Sequence, residues 1–132
     1  MTEEIKNIFM EAQKGELDAV IMYNMLADAM GSENKEIAES LRKIAKDEGK
    51  HAAIFKKLTG EAVVPDDAQA KYVCGLLPAI GAKTLFVNMA KGEYDSIEKL
   101  KVLQDEYLEL RVIVEDEPKH GDALIKMSEI TG

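Results

Sequence analysis

The side chains best suited to chemistry occur in two matching sets. Each set contains a glutamate that follows a Lys-Gly pair and, further along the chain, a glutamate and a histidine spaced as Glu-x-x-His. The sets are Glu16, Glu48 and His51, and Glu93, Glu117 and His120. Residues three apart on a helix lie side by side, so the carboxylate and the imidazole of each Glu-x-x-His can reach one metal ion. The repeat predicts a metal site built from four glutamates and both histidines of the chain.

The sequence around these residues also repeats. Residues 14–18 read KGELD and residues 91–95 read KGEYD, while residues 47–51 read DEGKH and residues 116–120 read DEPKH. A single glutamate followed by a Glu-x-x-His, present twice, is the ligand set of di-iron carboxylate helix bundles. We therefore interpret all six residues as metal ligands and, through the metal, as the catalytic residues.

The predicted ligands interrupt stripes of apolar residues. Glu16, for example, lies between Ala12 and Ala19 at helical spacing, and both Glu-x-x-His pairs are flanked by apolar residues in the same way. Side chains at such positions point toward the core of a helical protein. Several carboxylates facing a core without a cation would carry a large desolvation cost. We therefore expect the predicted ligands to be buried around metal ions.

Apolar periodicity predicts four long helices, and an aromatic content of 5% with three prolines favours an all-α fold. The helices cover approximately residues 5–30, 37–58, 86–103 and 110–127. Residues 60–83 contain Pro65 and Pro78 and predict a crossover that carries a short helix. Two hairpins joined by one long crossover form a ferritin-like antiparallel four-helix bundle, with the crossover between the second and third helices. We expect a single domain over residues 1–132.

The turn between the first two helices agrees with the predicted ligands. Facing residues of an antiparallel pair lie equally far from the turn, so Glu16 and Glu48 require a turn near position 32, where the chain has Gly31 and Ser32. We expect these two residues to end the first helix and cap the second, and Thr2 to cap the first.

The turn between the last two helices is harder to place. Glu93 and Glu117 require it near position 105, where Gln104-Asp105-Glu106 contains no glycine or proline. A continuous helix over this segment would separate the two glutamates by roughly 36 Å. In that case the site would need a swapped partner chain.

The number and type of donors favour a dinuclear centre. Six ligands are too many for one tetrahedral zinc ion and include too much nitrogen for a calcium or magnesium cage. They suit two iron ions, with manganese as the second choice, and four carboxylates would balance the charge of two divalent ions. We expect one ion on Glu16 and His51, the other on Glu93 and His120, with Glu48 and Glu117 bridging.

Some neighbouring residues have two interpretations. Asp47 and Asp116 either orient the imidazoles or are solvated acids. Gly15 and Gly49, inside helices, would allow close helix approach or access for a small molecule. Pro118, inside the second Glu-x-x-His, should kink its helix and either reshapes the site or is tolerated there.

These motifs resemble those of rubrerythrin-type members of the ferritin-like di-iron family. The resemblance rests on the Gly-Glu pairs at 15–16 and 92–93, on Tyr23 and on the two Glu-x-x-His pairs, and it covers both helix pairs. It implies a di-iron centre that reduces hydrogen peroxide or dioxygen. Ser96 stands where rubrerythrins have a further glutamate, which is similar to the six-ligand bacterioferritin arrangement and leaves strict peroxidase activity open. The C-terminal rubredoxin with four cysteines is also missing, so we expect electrons from an external redox protein.

Other functions remain open at this stage. The chain could instead bind, store or deliver iron without catalysis, or hydroxylate an apolar substrate if a pocket led to the metals. It could also be an interaction bundle without metal.

The composition and charge of the chain exclude some classes of binding partner. A net charge of −8 with interleaved lysines and arginines argues against nucleic acid. No segment has the pattern of a signal peptide or the length of a membrane span, so we expect a cytoplasmic protein. Cys74 is the single cysteine and is interpreted as a small buried apolar residue. Apolar positions expected to be exposed indicate a homodimer: Ile21, Met22, Met25 and Val102.

Overall fold

The computed structural model describes residues 1–131, and every regular element in that part of the chain is helical. The α-helices are α1 (Glu3–Met30), α2 (Lys35–Thr59), α3 (Ala68–Ile80), α4 (Ala82–Asp95), α5 (Glu98–Leu103) and α6 (Arg111–Ile130), with a 3₁₀ turn at Leu108–Leu110. The chain divides into two compact units, which are Met1–Cys74 and Gly75–Gly132. The division falls inside α3.

The first unit is built on a hairpin of α1 and α2. Thr2 caps α1 as predicted, since its hydroxyl accepts a hydrogen bond from the Ile5 amide at 3.1 Å. The turn follows Met30, as expected from Gly31, but the prediction that Ser32 caps α2 is wrong. Asn34 is the N-cap, and its side-chain oxygen accepts from the Ile37 amide at 3.0 Å.

Aromatic packing fixes the level of α1 against α2. Phe9 and Phe55 are both fully buried, and their ring centroids lie 5.8 Å apart. Their numbers are centred on position 32, the midpoint that Glu16 and Glu48 also share. Burying a large apolar side chain contributes roughly 1.5–3 kcal/mol. The same packing that stabilises the hairpin therefore brings the two glutamates to one level.

The first part of the crossover is attached to α1. Gly60, with φ of +74°, ends α2 in the left-handed conformation that glycine tolerates best. Residues 61–67 then run without regular structure to α3. The Asp66 amide donates to Asp18 Oδ1 at 2.9 Å, and Lys14 Nζ donates to carboxylate oxygens of Asp18 at 2.8 Å and of Asp66 at 3.0 Å. We call residues 61–67 the strap.

The second unit contains the pair α4 and α6, which pack against each other. The prediction of one helix over residues 86–103 is wrong. α4 ends at Asp95, where the Ser96 hydroxyl donates to the Glu93 carbonyl at 2.7 Å, and a turn separates it from α5. Ile97 and Leu100 are buried beyond this break. A further turn at 104–106 follows α5, so the chain reverses without a continuous helix.

The structure differs from two predictions about exposure, one for the dimer surface and one for Cys74. Val102 is exposed as expected, but Met22 is buried and Ile21 and Met25 are half-buried, so three of the four positions predicted to form a dimer surface are not open apolar positions. Cys74 is half-buried, and this burial raises the pKa of its thiol. No helix among residues 1–131 is both long enough and apolar enough to span a membrane.

Candidate metal centre

In the first unit, α1 and α2 bring three predicted ligands together. His51 Nδ1 lies 2.9 Å from Glu16 Oε2 and 3.4 Å from Glu48 Oε1. One donor atom from each of these residues lies within 4.8 Å of the others. Glu48 and His51 are side by side because they are three residues apart on α2, and Glu16 reaches them from the facing helix. We call Glu16, Glu48 and His51 the first triad.

In the second unit, α4 and α6 build the corresponding arrangement. His120 Nδ1 lies 3.8 Å from Glu93 Oε2 and 3.2 Å from Glu117 Oε1, and one donor atom from each residue lies within 4.8 Å of the others. All three residues belong to one chain, so no swapped partner is needed to bring Glu93 to Glu117. We call Glu93, Glu117 and His120 the second triad.

Both triads have the donor geometry of a cation site. In each, the same ring nitrogen, Nδ1, faces one oxygen of the single glutamate and one of the Glu-x-x-His glutamate. Ligand atoms about 2.0–2.2 Å from one metal ion lie roughly 3–3.5 Å from each other, close to the separations seen here. Short contacts between nitrogen and carboxylate oxygen need a shared proton, and a metal ion can take the place of that proton.

Burial adds a reason for a cation. Glu48 and Glu117 are each 2% exposed and Glu93 is 7% exposed, while the Glu16 side chain is 12% exposed. Carboxylates are rarely buried unless they are paired or coordinate metal, because leaving water is costly for a charge. The mixed carboxylate and imidazole donors fit iron or manganese better than calcium or magnesium.

The roles predicted for the flanking residues are less constrained. Asp47 and Asp116 are half-buried, and their orienting role stays a prediction. A Cβ on Gly15 would meet no atom within 4 Å outside its own helix, and one on Gly49 would lie 3.8 Å from Val20, so neither glycine is required by close helix packing. α6 runs through Pro118 from Arg111 to Ile130, and the kink there stays a prediction.

Sequence reasoning missed a contact beside the second triad. The Tyr94 ring lies over Gly121 so closely that a Cβ on Gly121 would come within 2.6 Å of it. The Tyr94 hydroxyl donates to Asp122 Oδ1 at 2.5 Å, and this hydrogen bond raises the pKa of Tyr94. Tyr94 follows Glu93 and Gly121 follows His120, so the contact joins α4 to α6 next to two predicted ligands. The sequence feature that could have indicated this contact is Gly121, a glycine within a predicted helix.

Polar residues on α1 were missed as well. Asp18 is 9% exposed and receives the hydrogen bonds of Lys14 and of the strap. These bonds raise the pKa of Lys14, mainly through Asp18, while the Ala68 amide and then Lys14 lower the pKa of Asp66. Gln13 is 2% exposed on the apolar face of α1, one turn before Glu16. A glutamine in an apolar stripe was the signal that could have identified it.

Comparison with known proteins gives one match. The family model described as Rubrerythrin matches residues 7–128, a range that includes both triads. No curated protein and no solved structure matches significantly. The family match and the absence of strands among residues 1–131 confirm the predicted fold class, an all-α ferritin-like bundle.

Proposed function

The chain belongs to the rubrerythrin family, and on that basis we propose that its two triads together hold a di-iron centre that reduces hydrogen peroxide or dioxygen. The observation that carries the proposal is the equivalence of the triads, each presenting two carboxylates to a histidine Nδ1. Family membership supports oxidoreductase activity in general and a site for iron.

In this proposal the six predicted ligands have two different roles. Glu16 and His51 would hold one ion, Glu93 and His120 the other, and Glu48 and Glu117 would bridge them. Four carboxylates cancel the charge of two ferrous ions, which makes a loaded site tolerable in a buried place. Manganese is the alternative metal, since it accepts the same donors.

The overall reaction fixes what the protein must supply. Reducing hydrogen peroxide breaks its O–O bond and yields two waters, which requires two electrons and two protons. When bound, two ferrous ions would supply one electron each and become ferric. The residues of this chain hold the metal, keep the carboxylates in place and limit the access of water. Ser96 contributes to this positioning, because its hydroxyl lies 3.4 Å from Glu117 Oε2 as well as 2.7 Å from the Glu93 carbonyl.

The electrons for the next cycle would come from an external redox protein. The single cysteine of the chain cannot form a dithiol or a four-cysteine iron site. A homodimer, for which Val102 remains an exposed apolar position, and a cytoplasmic location belong to the same proposal.

The test is anaerobic reconstitution followed by peroxide. We expect about two iron ions per chain and the oxidation of both by one equivalent of peroxide, followed by the ferric absorption band. His51→Asn should lose metal from the first triad, while Glu98→Gln, an exposed residue on α5, is the matched control and should bind metal as the wild type does.

Each other result points to a different function. Less than one ion per chain would contradict the metal site and favour an interaction bundle. Metal that is bound and released to a chelator, but not oxidised by peroxide or dioxygen, would favour iron binding, storage or delivery instead.

A further inference from the structure

Gln13 carries a buried polar atom that no residue in the described part of the chain satisfies. The side chain is 2% exposed, and Gln13 Oε1 accepts no hydrogen bond from protein. Buried amide oxygens in folded proteins are almost always hydrogen-bonded, to protein or to an ordered small molecule, because losing water without replacement is costly. The position therefore points to a bound hydrogen-bond donor.

The surroundings of Gln13 favour a donor next to the first triad. Gln13 and Glu16 are three residues apart on α1, which places their Cβ atoms about 5–6 Å apart on one face. The register set by Phe9 and Phe55 places Gln13 level with His51 and Ala52 on α2. Ala52 is buried and its side chain is a methyl group, so it takes little of the space opposite the glutamine.

The Phe9–Phe55 pair forms an apolar boundary on the other side. Phe9 lies one turn before Gln13, and both rings are fully buried. Neither ring offers a hydrogen bond to the amide. A donor bound to Gln13 Oε1 therefore has apolar neighbours on the side of Phe9 and Phe55 and polar neighbours on the side of Glu16 and His51.

We propose that Gln13 binds a small protic oxygen molecule beside Glu16 and His51, water in the resting protein and hydrogen peroxide when it is present. Both molecules can donate an O–H to Gln13 Oε1, and each contains no more than two oxygen atoms as its heavy atoms. The peroxide part of this inference rests on the proposed function. Gln13 then acts as a positioning residue that holds the oxidant at one end of the first triad.

The first test is crystallographic and does not depend on activity. Crystals of the metal-free protein should show an ordered oxygen about 3 Å from Gln13 Oε1, and crystals soaked in peroxide should show two linked oxygens there. Gln13→Met, which keeps the length of the side chain, should lose both features. A direct hydrogen bond from the Gln13 amide to a protein group, with no ordered oxygen, would overturn the proposal.

The second test is kinetic. In the iron-loaded protein, Gln13→Met should raise KM for peroxide roughly fivefold to tenfold, the effect of one lost hydrogen bond, with kcat changed less. Gln69→Met, at an exposed position of α3, is the matched control and should leave both constants unchanged. Metal content and melting temperature must match those of the wild type. If Gln13→Met does not fold, Gln13→Leu serves the same comparison.

The two proposals fail in different ways. A wild-type protein that binds iron but reduces no peroxide contradicts the proposed function, while the ordered oxygen in metal-free crystals still decides the role of Gln13. Active protein whose KM is unchanged in Gln13→Met contradicts the role of Gln13 alone.

Discussion

The histidines show how a residue spacing becomes a donor set. In both Glu-x-x-His motifs the histidine atom that faces the carboxylates is Nδ1. His51 Nδ1 lies 3.4 Å from Glu48 Oε1, and His120 Nδ1 lies 3.2 Å from Glu117 Oε1. The triads differ in the position of the single glutamate. Glu16 Oε2 lies 2.9 Å from His51 Nδ1, whereas Glu93 Oε2 lies 3.8 Å from His120 Nδ1. The second triad is therefore wider at its single glutamate, and we expect its geometry to depend on the contact between Tyr94 and Gly121 beside it.

Gly121 tests that dependence. A Cβ at Gly121 would lie 2.6 Å from the Tyr94 ring, closer than real Cβ contacts allow, so in Gly121→Ala the ring must leave the position from which its hydroxyl bonds Asp122. Tyr94 is 36% exposed and its ring can move toward solvent, so we expect a loss of up to about 1 kcal/mol in the free energy of unfolding, measured by urea denaturation of the metal-free protein.

The control for Gly121 is Gly92, also in a helix. A Cβ at Gly92 would meet no atom within 4 Å, so Gly92→Ala should stabilise the protein by up to about 1 kcal/mol through helix propensity. Adding Tyr94→Ala to Gly121→Ala should recover part of the loss by removing the collision. Equal effects of the two glycine substitutions would contradict the packing explanation.

The strap gives a prediction about pH. The pKa of Asp66 is lowered from its ordinary value of 3.8, first by the Ala68 amide and then by Lys14. Because the folded pKa is the lower one, the stabilising contribution of Asp66 is present above about pH 3.8 and is lost as the pH falls through the folded pKa. NMR titration of the Asp66 carboxyl should show a midpoint below 3.8.

Lys14→Met separates the two causes of that shift. It removes the ammonium but leaves the Ala68 amide, so the Asp66 midpoint should rise and still remain below 3.8. A midpoint unchanged by Lys14→Met would show that the ion pair is not formed in solution. Exposed ion pairs are weak, so we expect the change in the titration and not in overall folding.

At the scale of the elements, local sequence predicted some boundaries and missed others. Thr2 caps α1 through its hydroxyl and Gly31 follows the last residue of α1, so both ends of this helix agree with prediction. The break after Asp95 was missed because Ser96 and Ile97 are not turn-forming in general. What supports the break is tertiary: a hydroxyl bonded to the Glu93 carbonyl and the burial of Ile97 and Leu100 beyond it.

The same distinction applies to the site. The spacing of three within Glu-x-x-His predicts side-by-side ligands, and the position of the turn predicts that Glu16 meets Glu48. Gln13 and the Tyr94–Gly121 contact could not be predicted in this way, because they depend on which atoms face them across a helix pair.

The start of α2 separates the predicted cap from the observed one. Asn34→Ala removes the side-chain oxygen that accepts from the Ile37 amide, and should lower the free energy of unfolding by about 1 kcal/mol. Ser32→Ala, two residues earlier in the same turn and exposed, should change it by less than about 0.5 kcal/mol. Urea denaturation of both variants measures this, and a larger effect at Ser32 would reinstate it as the cap.

At the scale of the whole molecule, the acidic residues that would bind metal lower the stability of the metal-free protein. The chain has a net charge of −8, and four of its acidic residues belong to the triads. A metal-free protein must keep the two carboxylates of each triad near each other and largely out of water, whereas bound metal would compensate their charge. Metal that binds only the folded state should therefore stabilise it, by about 2.7 kcal/mol at a concentration one hundred times Kd.

Glu117→Gln should change the two states in opposite directions. Glu117 is 2% exposed and faces the same imidazole as Glu93, so replacing its carboxylate by an amide leaves one acidic group beside His120 in place of two and should raise the free energy of unfolding of the metal-free protein by about 1–2 kcal/mol. The amide is a poorer metal ligand, so the stabilisation by added ferrous iron should fall. Urea denaturation with a chelator and with iron, under anaerobic conditions, measures both effects.

Glu115→Gln is the control because it makes the same chemical change at an exposed position of α6. Its unfolding free energy should match that of the wild type in both conditions. If Glu117→Gln instead destabilised the metal-free protein and left the response to iron intact, Glu117 would be a structural hydrogen-bond acceptor for groups such as Ser96. The opposite signs expected here arise because a residue placed to bind a cation is a cost to the fold until the cation arrives.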